Sequence, residues 1–306
     1  MAEITFEQFK TEVLDNIKEY LSEEYRDYDM KLQTVQKSGE AYEALLITPK
    51  DKQKGATVTP ALNLNRAYSI YTKGKPLTEV IADLAEIRMT AKYPQARFRK
   101  EDLTTYSKVK DMIVPRLIRK AGNSEYLADK PHTDVADLTL TYAVRIEGED
   151  DFADAVITDK LLQVYGITAE ELHNVAMENL AAGEPLFTSL EQTLLRINKS
   201  LDIEKINVND YVAQLFILSN KHTTLGAVEA INPAIMDRLY NKLGKLYIIP
   251  SSVHEVIITP QDQIEDVGEL RKIVCNVNAT DVKPTDVLSD NVYEYDIDKK
   301  TIKVVA

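Results

Sequence analysis

Residues 246–260, LYIIPSSVHEVIITP, set Ser251, Ser252, His254 and Glu255 between two apolar runs. A hydroxyl, an imidazole and a carboxylate are the parts of an acyl-transfer centre, where a base takes the nucleophile's proton and an acid orients the base. The spacing argues against that use. In a strand, alternation sends His254 and Glu255 to opposite faces, so Glu255 does not orient the imidazole. Ser252 and His254 then share a face but lie about 6.5 Å apart, against the roughly 3 Å hydrogen bond that nucleophile and base need. The serine also lacks the sharp strand-to-helix elbow of a hydrolase nucleophile. Pro250-Ser251-Ser252 has turn chemistry, and the stretch predicts a β-hairpin. Ser252, His254 and Glu255 remain the candidates for any catalysis.

Other chemistry is thinner. The four histidines, His132, His173, His222 and His254, stand far apart, with no HExxH or comparable spacing, so no metal site is expected. Glu147, Glu149, Asp150, Asp151 and Asp154 cluster in EGEDDFAD without EF-hand spacing and read as a solvated hairpin tip. Neither GxGxxG nor a Walker sequence occurs, and no cofactor is expected. A single cysteine rules out an intrachain disulfide and a thiolate cluster. Cys275 sits among Leu270, Ile273, Val274 and Val277 at helical spacing, which predicts a buried, inert thiol.

Charge narrows the partners. With 49 acidic and 37 basic residues, the formal charge is −12, which repels phosphate backbones and argues against nucleic acid as a partner. The clearest basic stretch, Arg97, Arg99 and Lys100, reads as solvated surface. The opening segment is amphipathic and acidic, unlike a signal peptide, and no run approaches the roughly 20 apolar residues of a membrane span. A cytoplasmic protein is expected.

The positioning elements follow from punctuation. Thr5 with Gln8, and Thr168 with Glu171, have capping-box spacing ahead of helical periodicity. Ser38-Gly39-Glu40 between extended runs predicts a hairpin near 28–48. From Ala61 to about Lys92 the chain reads as helix broken at Gly74 and Pro76, and SKVKDMIVPRLIRKA reads as a further helix kinked at Pro115. DVADLTLTYAVRIE and FADAVITDKLL read as paired strands, residues 188–204 as helix, DYVAQLFILSN as a strand, and residues 290–306 as a closing hairpin. The expected class is α+β, a helical N-terminal lobe (1–125) packed on a largely antiparallel sheet with flanking helices (126–306), or one continuous domain. Sixteen tyrosines suit either interfaces or half-buried sheet edges, of which the second fits better.

The segments LYIIPSSVHEVIITP and ELRKIVCNVNATDVKPTDVLSDNVYEYD resemble an uncharacterised Firmicutes family, domain of unknown function 5688, as do PALNLNRAYSIYTKGKPLTEVI and ITDKLLQVYGITAEELHNVAMEN. The resemblance implies a cytoplasmic bacterial protein carried near mobile elements and names no catalytic residue. It directs attention to its two characteristic segments, where Asn276, Asn278, Ser289, Asp290 and Tyr293 are candidate binding residues. The plainer reading has Ser289, Asp290 and Asn291 bonding their own backbone in a turn. The expected function is therefore a non-enzymatic interaction or accessory factor with a protein partner. A hydrolase or nucleotide-processing enzyme centred on His254 and a protein that sequesters a small ligand are the alternatives.

Overall fold

The computed structural model describes residues 4–50, 59–91, 100–148, 152–195, 201–207 and 214–306, with no side-chain account of 100 and 101. Arg97, Arg99, Glu149, Asp150 and Asp151 thus lie outside the described residues. The chain forms two compact units, residues 1–103 with 147–153, and residues 104–146 with 154–306. The class is α+β.

In the first unit, Thr5 caps α1 (Phe6–Asn16) through the expected capping box with Gln8. Its inward stripe buries Phe9 and Val13 completely, and Ile17 continues it. The hairpin β1 (Asp29–Lys37) and β2 (Glu40–Thr48) turns at Ser38-Gly39, with Gly39 at φ 77° supplying the left-handed residue. β3 (Ala61–Asn63) adds a third antiparallel strand, so helix begins only at α2 (Leu64–Thr72), where the Asn63 side chain caps Arg66. α3 (Leu77–Thr90) and α4 (Lys100–Leu103) follow in the same unit. Leu45, Ile47, Leu62, Leu64 and Ile81 join the α1 residues in its core. Tyrosine here is a core-edge residue: Tyr20, Tyr28, Tyr68 and Tyr71 are part-buried against that core. The Tyr68 hydroxyl donates to the Ile4 carbonyl at 2.9 Å. Buried Arg88 stacks on Tyr25 and donates to the Ile47 carbonyl at 3.1 Å.

The second unit begins with α5 (Tyr106–Val109) and then β4 (Ile113–Arg119). That strand corrects the kinked helix expected around Pro115. Ile113, Pro115 and Leu117 alternate as buried residues. Proline is tolerated because β4 is an edge of its sheet and the missing donor leaves no interior gap. After α6 (Ser124–Leu127) come β5 (His132–Val135), β6 (Leu138–Glu147) and β7 (Phe152–Val156), which with β4 make a four-stranded sheet. The strand expected to run through 162 stops at Val156, since Thr158 caps α7 (Asp159–Tyr165). α8 (Ala169–Ala182) carries the second capping box. Residues 188–204, expected as helix, begin inside β8 (Pro185–Ser189); their described part then holds the short helix α9 (Leu190–Leu194) and the start of a 3₁₀ turn, Ile203–Lys205.

β9 (Phe216–Asn220) leads into a buried 3₁₀ turn, Gly226–Ile231, and α10 (Pro233–Leu243) starts at its proline. β10 (Leu246–Ile249) and β11 (Val256–Pro260) pair antiparallel, α11 (Val267–Thr280) follows, and β12 (Tyr293–Asp296) with β13 (Thr301–Val304) closes the chain. Their antiparallel sheet has the order β13-β12-β10-β11-β9-β8. This order places the ends of β9 and β10 on either side of β11, and so fixes the loops that follow them.

Candidate functional site

Residues 250–255 form the loop between β10 and β11 rather than strand, because pairing stops at Ile249 opposite Ile257. The alternation argument for His254 and Glu255 therefore does not apply; hydrogen bonds decide their roles. Past the end of β9, the Asn220 side chain accepts from His222 N–H at 3.0 Å and donates to the Thr224 carbonyl at 2.8 Å. Such asparagine bonding holds a tight turn, and Thr223 and Leu225 adopt positive φ of 51° and 55°. For a γ-branched leucine that backbone is costly and persists only when neighbours hold it.

The neighbours are the 250–255 loop. Leu225 N–H donates to His254 Nδ1 at 3.2 Å, Gly226 N–H to the His254 carbonyl at 2.9 Å, and Ala227 N–H to the Val253 carbonyl at 3.3 Å. The Ser219 hydroxyl donates to the same His254 carbonyl at 2.7 Å. A third segment joins through Asp286: its carbonyl accepts Val253 N–H at 2.8 Å, and its carboxylate lies 3.8 Å from His254 Nε2.

This arrangement fixes the chemistry of the imidazole. Nδ1 accepts a backbone N–H, so its lone pair is in use and the proton of the neutral ring resides on Nε2, facing Asp286. A triad needs the opposite, a free lone pair aimed at the nucleophile. Ser252 Oγ instead accepts His254's own backbone N–H at 3.0 Å. Glu255 is half-buried, and burial raises its carboxyl above the ordinary range, opposed by the nearby His254. Ser251 is half-buried in the same loop. The loop is built as a fastener between segments.

Four of the five candidate binding residues gather at a second centre, around Asp137. Ala136, at φ 54°, makes the tight turn between β5 and β6 that presents this aspartate. Its carboxylate accepts from Tyr293 OH at 2.7 Å, Asn291 Nδ2 at 3.0 Å and Ser289 Oγ at 3.1 Å. Asn278, from α11, donates to the Ser289 carbonyl and to Asp290 Oδ1, both at 2.8 Å. Arg119 lies 3.5 Å from Asp290. Asn291 N–H bonds Ser289 Oγ at 3.1 Å, the local turn bond expected of this segment. Burial, with the adjacent Asp137 carboxylate adding to it, pushes the Tyr293 hydroxyl well above its usual range, so it stays protonated as a donor.

Asn276 does not join; it is exposed, and its carbonyl accepts the Thr280 hydroxyl. Cys275 is half-buried rather than buried, its thiol 3.7 Å from the Asp290 carbonyl. Asp137 and Asp286 escaped sequence reasoning. The one visible signal was the turn chemistry of Ala136-Asp137 and Pro284-Thr285-Asp286. Asp137→Ala orphans the hydroxyl of Tyr293, a residue 1% exposed. A loss of about 2 kcal/mol is expected, read as a lower urea midpoint. An unchanged midpoint would remove Asp137 from this role.

Among the described residues, no group of three or more His, Cys, Asp and Glu side chains is placed to hold a metal ion. No described helix is long and apolar enough to cross a membrane. The family of unknown function DUF5688 matches residues 6–297. The chain belongs to that family. No curated protein and no solved structure matches it. The DUF5688 match takes in both centres, the loop fastened by His254 and the cluster on Asp137.

Proposed function

We propose that this DUF5688 chain is a cytoplasmic bacterial interaction or accessory factor, associated with mobile elements, and that its partner is a protein. The observation that supports this reading is the outer face of α11. Ile273 is 60% and Val277 39% exposed, with half-buried Leu270 three and seven residues before them on one helical stripe. Single exposed apolar residues are ordinary, but a stripe at this spacing is the pattern by which a helix meets a protein groove. Beside that stripe the helix is held by buried Val274 and by Asn278 on the Ser289–Asp290 turn. The Asp137 cluster thus acts as the mount of a recognition helix.

The test is a pull-down from native lysate with three folded baits: wild type, Ile273→Glu/Val277→Glu and Ser252→Ala/His254→Ala. The expected result is one stoichiometric protein held by wild type and by the Ser252/His254 variant and lost with the α11 variant. Loss with the Ser252/His254 variant alone would move the function to the 250–255 loop and revive the hydrolase reading.

A cleft of about 580 Å³ bounded by Leu127, Lys130, Pro131, His132 and Asp159 favours a second reading, sequestration of a small ligand. A metabolite that raises the melting temperature of wild type but not of Leu127→Arg would support it.

A further inference from the structure

The first unit ends its sheet on a long, regular edge. β1 runs nine residues, DMKLQTVQK, without proline, and pairs with β2 one-to-one from Asp29 to Lys37 with no bulge. Beyond it no further strand occurs among the described residues. Proteins usually blunt such an edge by shortness, proline, bulges or charge. Here only charge is present, and it is arranged in a particular way.

The two-residue turn makes Lys37 and Glu40 the closing hydrogen-bonded pair. Odd-numbered residues of β1 therefore turn their backbone groups to β2, and Met30, Leu32 and Thr34 turn theirs outward. We propose that this edge pairs antiparallel with the same edge of a second copy of the chain, about a two-fold axis at Gln33. In that register Leu32 and Thr34 of the two copies exchange hydrogen bonds, and Asp29 of each copy lies opposite Lys37 of the other. Both side chains are on the exposed face of the strand. A slip of one residue sets outward groups against inward ones. A slip of two toward the turn brings Lys31 against Lys37, and a slip of two the other way carries Lys37 past the end of β1, opposite the turn residue Asp27. The charges that would repel a foreign strand are thus complementary to their own copy at one full-length register.

Sedimentation velocity over a concentration series tests the pairing. Wild type is expected to form a concentration-dependent dimer. Lys37→Asp, which sets like charges opposite at both ends, is expected to raise its dissociation constant on the order of tenfold. Asp29→Lys/Lys37→Asp is expected to restore it. Both variants carry the same change at position 37 beside Glu40, so their difference isolates the pair between copies; circular dichroism checks that each is folded. A wild type monomeric at every concentration would overturn the proposal. So would a dimer indifferent to Lys37→Asp, or one that the double exchange fails to rescue.

Discussion

Replacing Glu229 by glutamine is expected to stabilise the second unit by about 3 kcal/mol at about pH 8, and by under about 1 kcal/mol near pH 5. Glu229 sits in the 3₁₀ turn after β9, where all six residues are buried, and is itself 4% exposed. Burial raises its carboxyl to about 7, partly opposed by a hydrogen bond from Asn232 and by Arg145. Asn232 Nδ2 bridges Glu229 Oε2 at 2.8 Å and the Leu180 carbonyl at 3.1 Å, tying the turn to α8. The sign follows from proton counts. Between the ordinary value of 4.5 and about 7 the folded chain holds a proton that the unfolded chain has lost. The contribution to stability is therefore fully present below the lower value and disappears as pH rises through the upper one. Glutamine resembles the protonated acid, accepts from Asn232 and does not titrate. Urea midpoints at the two pH values should converge for Glu229→Gln and separate for wild type. Parallel midpoints would mean that Glu229 is not the titrating group.

Gly226→Ala is expected to cost about 3 kcal/mol, through crowding rather than conformation. A Cβ at this position would overlap Ser219 Oγ and stand 2.5 Å from Asn220 N and 2.9 Å from the His254 carbonyl oxygen. Two of those three atoms are backbone, so a rotamer change cannot relieve the contact. The change also pushes apart the segments that Gly226 N–H joins through the His254 carbonyl. Beyond the lowered midpoint, faster amide exchange at Leu225 and Ala227 is expected. A variant as stable as wild type would contradict the close approach.

Local rules recovered the elements wherever local chemistry decides. Both capping boxes start helices where Thr5 and Thr168 place them. The hairpins at 29–48 and 293–304 match their turn residues and alternation. One misread segment, 113–119, holds a short apolar run that fits both periods; Pro115 and the alternation of Ile113 and Leu117 favoured strand over helix.

The centres were legible only in part. Asn278, Ser289, Asp290 and Tyr293 are neighbours along the chain, so a segment-level reading grouped them. Asp137, on which three of the bonds in that cluster converge, comes from another hairpin, and nothing in its own flanks announces Tyr293. The same holds for His254, whose role is set by a left-handed Leu225 and by Asp286. A positive φ at leucine is imposed by tertiary contacts, and no propensity reports it.

The nitrogen-15 spectrum of the His254 ring tests most directly that this residue fastens a loop and serves no nucleophile. It would be recorded at a pH where the ring is neutral and assigned by the signal lost in His254→Gln. The expected result is a proton on Nε2 and a hydrogen-bonded lone pair on Nδ1, both unchanged in Ser252→Ala. A proton on Nδ1, or a ring signal that moves when the Ser252 hydroxyl is removed, would contradict the account and return Ser252 and His254 to the centre of a catalytic one.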